Sequence, residues 1–409
     1  MAVASIQLVA SVDLHAEDTT AGARALWADA VSHIVSDYYE LGPSGKRIKF
    51  SEEQVAQRLT ELLNESVRAK GGTIGVPPDF SDLEHLQIEK NFFDFLNQLH
   101  ILHRGRKSAT ELVEYSLNLL CNNDLRYSQY WSKPYQRKRL ELEDNPLLNA
   151  RFDFSVRRED DHSFLCFPFD KGDAWTQGMR ARDRLESFDG IPAGQISMQD
   201  LFLRFFGQAD TSAKIKVRQK SGRVLNLDLS RRHVTRSVTA HPYRDSQIFV
   251  IPEISNDSVK QLAILLRKSP SPNIILDLRG NGGGPLPPVS DLVGLFVPGP
   301  RPIVVGRTYQ DDKLESELTS NAQCVEGIER INLIVDGGSA STAELFVLAL
   351  KEALGEQVVV SGSKTYGKDV WTGLISFPGG GALMIPMGPI RTASGNGWRD
   401  GISPTFSHP

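Results

Sequence analysis

The stretch Gly337-Gly338-Ser339-Ala340-Ser341-Thr342-Ala343-Glu344 stands between an apolar segment of strand type, residues 331–336, and a segment rich in helix formers, residues 345–354. This pattern predicts a strand-to-helix turn that carries Ser341. Small residues let the backbone turn tightly and let a substrate carbonyl approach, while the first amides of a helix face negative charge. Such a turn suits acyl transfer. A serine that only caps the helix is the competing interpretation.

Lys368, in Tyr366-Gly367-Lys368, is the candidate base for this serine. A serine hydroxyl is a poor nucleophile until a neighbouring base takes its proton, and a lysine can do so only when it is neutral. Lowering a lysine pKa from about 10.4 to near 7 requires roughly 4 to 5 kcal/mol of destabilisation of the ammonium, which burial supplies. We expect Tyr366, Val370 and Trp371 to provide the apolar surroundings.

A second glycine-rich turn, Asp277-Leu278-Arg279-Gly280-Asn281-Gly282-Gly283-Gly284, follows another apolar segment of strand type. Turns at the carboxyl ends of neighbouring strands converge at one edge of an α/β sheet. The two turns are therefore expected to meet, which favours a catalytic Ser341 over a helix cap. Asp277 and Arg279 are interpreted as residues that hold the second turn together.

Composition indicates a globular protein of several domains, with 409 residues and 40% hydrophobic content. A net charge of -4 offers no general attraction for nucleic acid or an anionic membrane. The three cysteines, Cys121, Cys166 and Cys324, lack the spacing of a disulfide framework or a metal site. Met1 to Leu14 has no signal-peptide pattern and no segment reaches transmembrane length, so we expect a cytoplasmic protein without a membrane span.

The helical pattern of residues 20–120 includes three capping-box sequences, which begin at Ser51, Ser81 and Ser108 and predict three helix starts. The helix after Ser81 is expected to cover Leu83 to Leu102.

Beyond this region, short alternating strands are expected over residues 152–235, and strands alternate with helices from residue 245 onward. The sequence thus predicts an α+β multidomain protein. Its parts are a helical N-terminal domain, 1–150, a β-rich domain, 151–236, and an α/β catalytic core, 237–409.

Several segments, in order, resemble the motifs of the C-terminal processing proteases, also called tail-specific proteases, a family of Ser/Lys endopeptidases. Register within Gly338 to Glu344 makes Ser341, and not Ser339, the matching nucleophile. The matching segments are Asn123 to Tyr130, Lys171 to Gly190, Asp277 to Gly284, Gly338 to Glu344, Thr365 to Lys368 and Gly401-Ile402-Ser403-Pro404. Within Lys171 to Gly190, the residues in register with a PDZ signature are Ala174, Gly178, Asp183, Leu185, Asp189 and Gly190.

The resemblance implies a serine endopeptidase that uses no cofactor and no metal. Ser341 attacks the scissile carbonyl, and Lys368 takes its proton. The oxyanion hole is formed by the amide of Thr342 and one amide from Gly283 or Gly284. The PDZ-like domain binds an extended chain by strand addition, so cleavage is expected near the C-terminus of a partner protein or precursor peptide. Whether the protein forms a homo-oligomer through its helical region stays an open question.

Four positions depart from the family pattern, and one of them is Asp173, which stands in the PDZ segment where the family has a proline. Thr372 stands where the family has a glutamine that orients the dyad, so it is the candidate orienter, acting through a water. The alternative is a dyad without a third member. Asp369 replaces a glycine, and a carboxylate facing Lys368 would favour its charged form. Arg182 replaces the glycine that precedes the PDZ aspartate, which predicts altered recognition of peptide ends.

Three alternatives stay open from the sequence. One is a catalytically inactive PDZ-containing protein of the same fold that binds peptides. The second is a Ser/Lys amidase that acts on a small molecule. The third is a Ser/His site, assembled in space from one of the nine histidines.

Overall fold

The computed structural model of the chain describes residues 17–40, 47–69, 72, 77–102, 107–145, 148, 150–158, 163–169, 172–233, 237–299, 302–307, 314–319 and 323–407. The chain forms two compact units, one of residues 1–132 with 372–387 and one of residues 133–371 with 388–409. The boundaries expected at 150 and 236 stay predictions. Met1 to Leu14 and Lys171 lie outside the described residues, and the cytoplasmic location also stays a prediction.

The described part of the first unit is largely helical, as the sequence predicts. Its elements are α1 (Glu17–Asp37), α2 (Glu52–Ala69), α3 (His85–Leu102), α4 (Ala109–Asn123) and β1 (Gln129–Trp131). The apolar faces of the helices meet in one core, in which Trp27, Leu59, Phe92, Phe95 and Val113 are almost fully buried. β1 pairs antiparallel with residues 382–384. In the described residues, no helix is long and apolar enough to cross a membrane.

The expected capping boxes at Ser51 and Ser108 are confirmed, but the one at Ser81 is wrong. The amide and the hydroxyl of Ser81 both donate to Asp79 Oδ1, at 3.0 and 2.7 Å. Asp82 then has a φ of 58°, which is outside the right-handed helical region. The chain therefore makes a turn here, and α3 begins at His85 instead of Leu83.

The middle of the chain is β-rich, as expected. Its elements are α5 (Lys133–Asp144), β2 (Ala150–Arg151), β3 (Phe154–Arg158), β4 (Phe164–Pro168), α6 (Asp173–Thr176), β5 (Asp183–Phe188), β6 (Ile191–Pro192), α7 (Met198–Phe205), β7 (Phe206–Gly207), β8 (Ser212–Arg218) and β9 (Val224–Ser230). Five strands form an antiparallel sheet in the order β3-β4-β5-β8-β9, and β6 pairs with β5. In β8, exposed and buried residues alternate, which places one face on a separate core.

The rest of the second unit alternates strands and helices. The elements from here to the end are β10 (Thr239–Tyr243), β11 (Ser246–Val250), α8 (Asn256–Lys268), β12 (Asn273–Asp277), α9 (Pro287–Gly294), β13 (Pro302–Arg307), β14 (Leu314–Thr319), β15 (Arg330–Val335), α10 (Thr342–Leu354), β16 (Val358–Gly362), β17 (Val370–Ser376), β18 (Ala382–Thr392) and β19 (Phe406–Ser407). Six strands form one sheet in the order β10-β11-β12-β15-β16-β19.

Three neighbouring strands of this sheet position the candidate site. β11, β12, β15, β16 and β19 run parallel, and β12, β15 and β16 are adjacent. Their apolar side chains pack with α8, α9 and α10 into a single core, as expected for parallel strands covered by helices. The turns that follow β12, β15 and β16 therefore emerge at the same edge of the sheet.

Candidate active site

Ser341 has a backbone that distinguishes it from an ordinary capping serine. It occupies the N-cap position of α10 with a φ of 58° and a ψ of -121°. Ser108, Ser197 and Ser255, which cap α4, α7 and α8, have extended backbones instead. A positive φ is strained for a residue with a side chain, and such strain concentrates at functional sites.

Ser339, the other serine of this turn, is a structural link. Its side chain is fully buried, and its Oγ donates to the carbonyl of Leu278 at 2.7 Å. The same Oγ accepts the amide of Asp336 at 3.0 Å. The hydroxyl of Ser339 thus joins the turns after β12 and β15, which agrees with the assignment of the nucleophile to Ser341.

The two glycine-rich turns meet, as the sequence predicts. The Oδ1 of Asp336 accepts amides from both turns, from Gly280 at 2.8 Å and from Gly338 at 2.9 Å. In addition, the amide of Ala340 donates to the carbonyl of Asn281 at 2.9 Å. The turn that carries Ser341 is therefore fixed against the turn that carries the glycines.

Asp277 and Arg279 hold the second turn together, which confirms their interpretation. The guanidinium of Arg279 donates to both carboxylate oxygens of Asp277, with its shortest contact at 2.6 Å. The amide of Arg279 also donates to Asp277 Oδ1 at 3.1 Å.

The three residues expected to form the oxyanion hole lie together. A Cβ added at Gly283 would lie 3.0 Å from the amide nitrogen of Thr342. The amide of Gly283 donates to Asn281 Oδ1 at 2.9 Å, whereas the carbonyl of Gly284 accepts from Thr342 Oγ1 at 3.2 Å. Within the described part of the chain, the amides of Gly284 and Thr342 have no hydrogen-bond acceptor. Of the two glycines, Gly284 is therefore the better candidate for the second amide of the oxyanion hole.

Lys368 lies in surroundings that favour its neutral form. Burial lowers the pKa of its ammonium from the usual value. Of the three residues expected to surround it, Val370 is buried and Trp371 is partly buried against the core, but Tyr366 is 52% exposed. The sequence analysis missed Trp398, a buried residue whose Nε1 donates to the carbonyl of Lys368 at 3.0 Å.

Asp369 is buried and has a cationic partner. Its Oδ2 lies 2.8 Å from Nη1 of Arg391, which belongs to β18. The same guanidinium donates to the carbonyl of Ile390 at 2.7 Å. The charge of Asp369 is therefore balanced by Arg391, and burial remains the cause of the lowered pKa of Lys368.

Glu344 is a second residue that the sequence analysis missed. Its buried carboxylate accepts the amides of Ser341 and Lys368 on Oε2, at 2.8 and 2.9 Å. On Oε1 it accepts the amide of Gly367 at 2.7 Å and the hydroxyl of Thr365 at 2.5 Å. Burial raises the pKa of Glu344, and the four donors act in the opposite direction. The available signal was Ser341-x-x-Glu344, which has the spacing of a capping box.

Thr372 lies in β17 and is half-buried. Its hydroxyl has no hydrogen-bond partner among the residues that the structure describes, so its role as the dyad orienter stays a prediction. Across the described residues, no hydrogen bond joins a histidine to Ser341, and no group of three or more His, Cys, Asp or Glu could hold a metal ion.

The fold and these two turns define a serine peptidase of the C-terminal processing class. Residues 248–408, which contain Ser341, Lys368 and the glycine turn, match the model of peptidase family S41.

Two curated relatives of the chain are named as proteases of the C-terminal processing type. A probable CtpA-like serine protease of Staphylococcus haemolyticus is 23% identical over 350 residues, which cover 83% of this chain and 69% of that protein. The carboxy-terminal processing protease CtpB of Bacillus subtilis is 26% identical over 265 residues, which cover 62% of this chain and 54% of that protein.

One solved structure has a fold similar to that of almost the whole chain. The photosystem II D1 C-terminal processing protease superposes with a TM-score of 0.60 and 16% identity, covering 94% of this chain and 93% of that one. The predicted α+β fold class is thereby confirmed.

Proposed function

We propose that the protein is a serine endopeptidase that cleaves a protein or precursor peptide near its C-terminus, with Ser341 as nucleophile and Lys368 as base. The observation that carries this proposal is the strained backbone of Ser341, together with the amides of Thr342 and Gly284, which have no acceptor among the described residues. Glu344 holds the amides of Ser341 and Lys368 on one oxygen, so the two residues are presented together.

The chemistry follows from these positions. Ser341 Oγ attacks the scissile carbonyl carbon, and the neutral amine of Lys368 accepts the hydroxyl proton. The amides of Thr342 and Gly284 stabilise the negative charge that develops on the carbonyl oxygen. Lys368 then protonates the leaving amine as the C–N bond breaks, and water hydrolyses the acyl-enzyme, with Lys368 again accepting a proton.

Recognition of a C-terminal end is assigned to the β-rich region. β3 lies at one edge of its six-stranded sheet, so an extended peptide can add to it as a further strand. Arg182 stands where PDZ domains of the family have a glycine, and its φ is 71°. Since only its backbone conformation calls for glycine, the arginine preserves the turn at a cost of about 1 to 2 kcal/mol.

The test is cleavage of an unfolded casein-type protein by the wild type, Ser341→Ala and Lys368→Ala. We expect the wild type to cut and both variants to lose at least about a thousandfold in kcat/KM. Ser108→Ala, which removes an ordinary helix-capping serine, is the matched control and should keep its activity.

Two outcomes distinguish the alternatives. A folded wild type that binds peptides but never cleaves them would support the inactive peptide-binding protein. A wild type that hydrolyses small amides but no peptide would support the amidase, and both results would contradict the endopeptidase.

A further inference from the structure

Trp398 is a buried tryptophan without a part in the chemistry proposed above. Its side chain is 4% exposed and belongs to the core of the α/β region. The indole Nε1 is a hydrogen-bond donor only, and it donates to the carbonyl of Lys368 at 3.0 Å. A buried donor without an acceptor costs free energy, so the ring is favoured where it contacts the lysine loop.

Both backbone polar groups of Lys368 are thus held by buried side chains. Its amide donates to Glu344 Oε2 at 2.9 Å, and its carbonyl accepts from Trp398. Because the peptide groups on both sides of the Cα are fixed, the direction in which the Lys368 side chain leaves the backbone is fixed as well.

Residues 398–402, which we call the C-terminal clamp, contact the same loop through its backbone. The amide of Ile402 donates to Thr365 Oγ1 at 2.7 Å, and the amide of Thr365 donates to the carbonyl of Ile402 at 3.2 Å. This exchange pairs Gly401-Ile402 with the lysine loop in space, although the two segments are far apart in sequence.

Two glycines allow this close approach. A Cβ at Gly367 would lie 2.5 Å from the carbonyl oxygen of Arg399, and a Cβ at Gly401 would lie 2.4 Å from that of Thr365. Both glycines have a positive φ, of 92° and 78°. The clamp and the loop therefore form one packed backbone unit.

We propose that the C-terminal clamp, through the hydrogen bond from Trp398, is a positioning element that holds Lys368 for proton transfer and limits the access of water to its amine. This inference deepens the proposed function and rests on it. A displacement of about 1 Å at a catalytic group can cost a hundredfold in rate, so a bond to the backbone of the base is sufficient to matter.

Replacing Trp398 by Phe removes no charged group from the surroundings of the loop. The charged groups there include Glu344 from α10, Asp369 with its partner Arg391 from β18, Arg399 within the clamp and Lys364, whose Cε would lie 3.4 Å from a Cβ added at Gly401. A shift in the pKa of Lys368 in a Trp398 variant therefore reports altered burial of the amine.

The first measurement compares Trp398→Phe with the wild type. We expect kcat to fall about tenfold with KM nearly unchanged, and the acidic limb of the kcat/KM profile to move upward by about half a pH unit or more. Trp131→Phe is the matched control, because Trp131 is also buried and its Nε1 donates to Gln129 Oε1 at 3.2 Å. The control should keep both kcat and the pH profile.

A second variant separates the hydrogen bond from the packing. Benzothienylalanine at position 398 keeps both rings and lacks the N–H, so it should reproduce the loss in kcat, with a pH profile close to that of the wild type, even if Trp398→Phe fails to fold. Wild-type behaviour of a folded benzothienylalanine variant would overturn the proposal.

The last measurement does not depend on catalysis. In a Ser341→Ala background, acetylation of Lys368 by acetic anhydride is followed against pH by mass spectrometry, with and without Trp398→Phe. A higher midpoint without the tryptophan supports the positioning role even if no substrate is ever cleaved. An unchanged midpoint in an active enzyme refutes the positioning role and leaves the proposed peptidase function standing.

Discussion

Glu344 joins the turn that carries Ser341 to the loop that carries Lys368. Glu344→Gln replaces one carboxylate oxygen by an NH2 group, which must then face an N–H or O–H donor. We expect the free energy of unfolding to fall by about 2 to 4 kcal/mol and kcat to fall at least about tenfold. Denaturant titration and steady-state kinetics measure the two effects.

Glu352, on the same helix, provides the control. Its Oε1 accepts from Thr392 Oγ1 at 2.6 Å and from Asn396 Nδ2 at 2.7 Å, away from Ser341 and Lys368. Glu352→Gln should change stability by less than about 1 kcal/mol and leave kcat unchanged. Equal effects of the two substitutions on kcat would refute the role of Glu344.

Lys368 makes activity and stability depend on pH in the same direction. Its pKa is lowered by burial from 10.5, so in the window between the lowered value and 10.5 the folded protein binds fewer protons than the unfolded chain. Stability therefore rises with pH across this window, and kcat/KM rises as the pH passes the lowered pKa from below.

Two variants test this dependence. Lys368→Met should remove the rise in stability with pH, measured by denaturant titration at several pH values. Lys368→Arg keeps its charge and should be inactive throughout. A rise in stability that is the same in Lys368→Met and the wild type would show that another group titrates in this window.

The turn after β12 is closely packed at Gly284. A Cβ at Gly284 would lie 1.8 Å from the carbonyl oxygen of Ile254, so Gly284→Ala must push two backbone segments apart. We expect a loss of about 1 to 3 kcal/mol in stability and, because the Gly284 amide moves, a fall in kcat of at least about tenfold.

Gly282→Ala is its neighbouring control. A Cβ at Gly282 meets nothing within 4 Å, so thermal unfolding should show a change below about 0.5 kcal/mol. If both alanine variants unfold and react like the wild type, the close packing of this turn is refuted.

The elements that carry the site could be predicted because their signals are local. An apolar segment, a run of small residues and a helical segment follow one another around Ser341, and the same pattern marks the turn at residues 277–284. The predicted start of α3 was wrong because the side chain of Asp79 accepts the amide of Ser81. A capping-box pattern in the sequence does not exclude such a local contact.

The contacts that tune the site could not be predicted in the same way. Arg391 pairs with Asp369, and Trp398 donates to Lys368, although each pair is far apart in sequence. Only the folded chain brings such partners together, because any arginine or tryptophan of the sequence was an equal candidate.

Three hydrophobic cores within the described residues correspond to the three kinds of sequence pattern, which are helical, β-rich and alternating. The order of these regions and the fold class could be predicted, since each pattern has its own periodicity. The exact domain limits stay predictions, and residues 372–387 belong to the first compact unit although they follow the catalytic motifs.

Recognition of a free chain end is a prediction about the whole molecule. Two peptides of the same sequence, one with a free C-terminal carboxylate and one amidated, should differ in KM by about tenfold in favour of the free acid, with similar kcat. Steady-state kinetics on the pair measures this. Equal KM values would refute selection of the C-terminal end and would not affect the assignment of Ser341.

The central claim is that Ser341 is a nucleophile activated by Lys368. Its most direct test is covalent labelling with a serine-reactive fluorophosphonate, followed by mass-spectrometric mapping of the modified residue. The account predicts modification at Ser341 in the wild type, none at Ser339, and none in Ser341→Ala or Lys368→Arg. A folded wild type that stays unlabelled at Ser341, or equal labelling in Lys368→Arg, would contradict it.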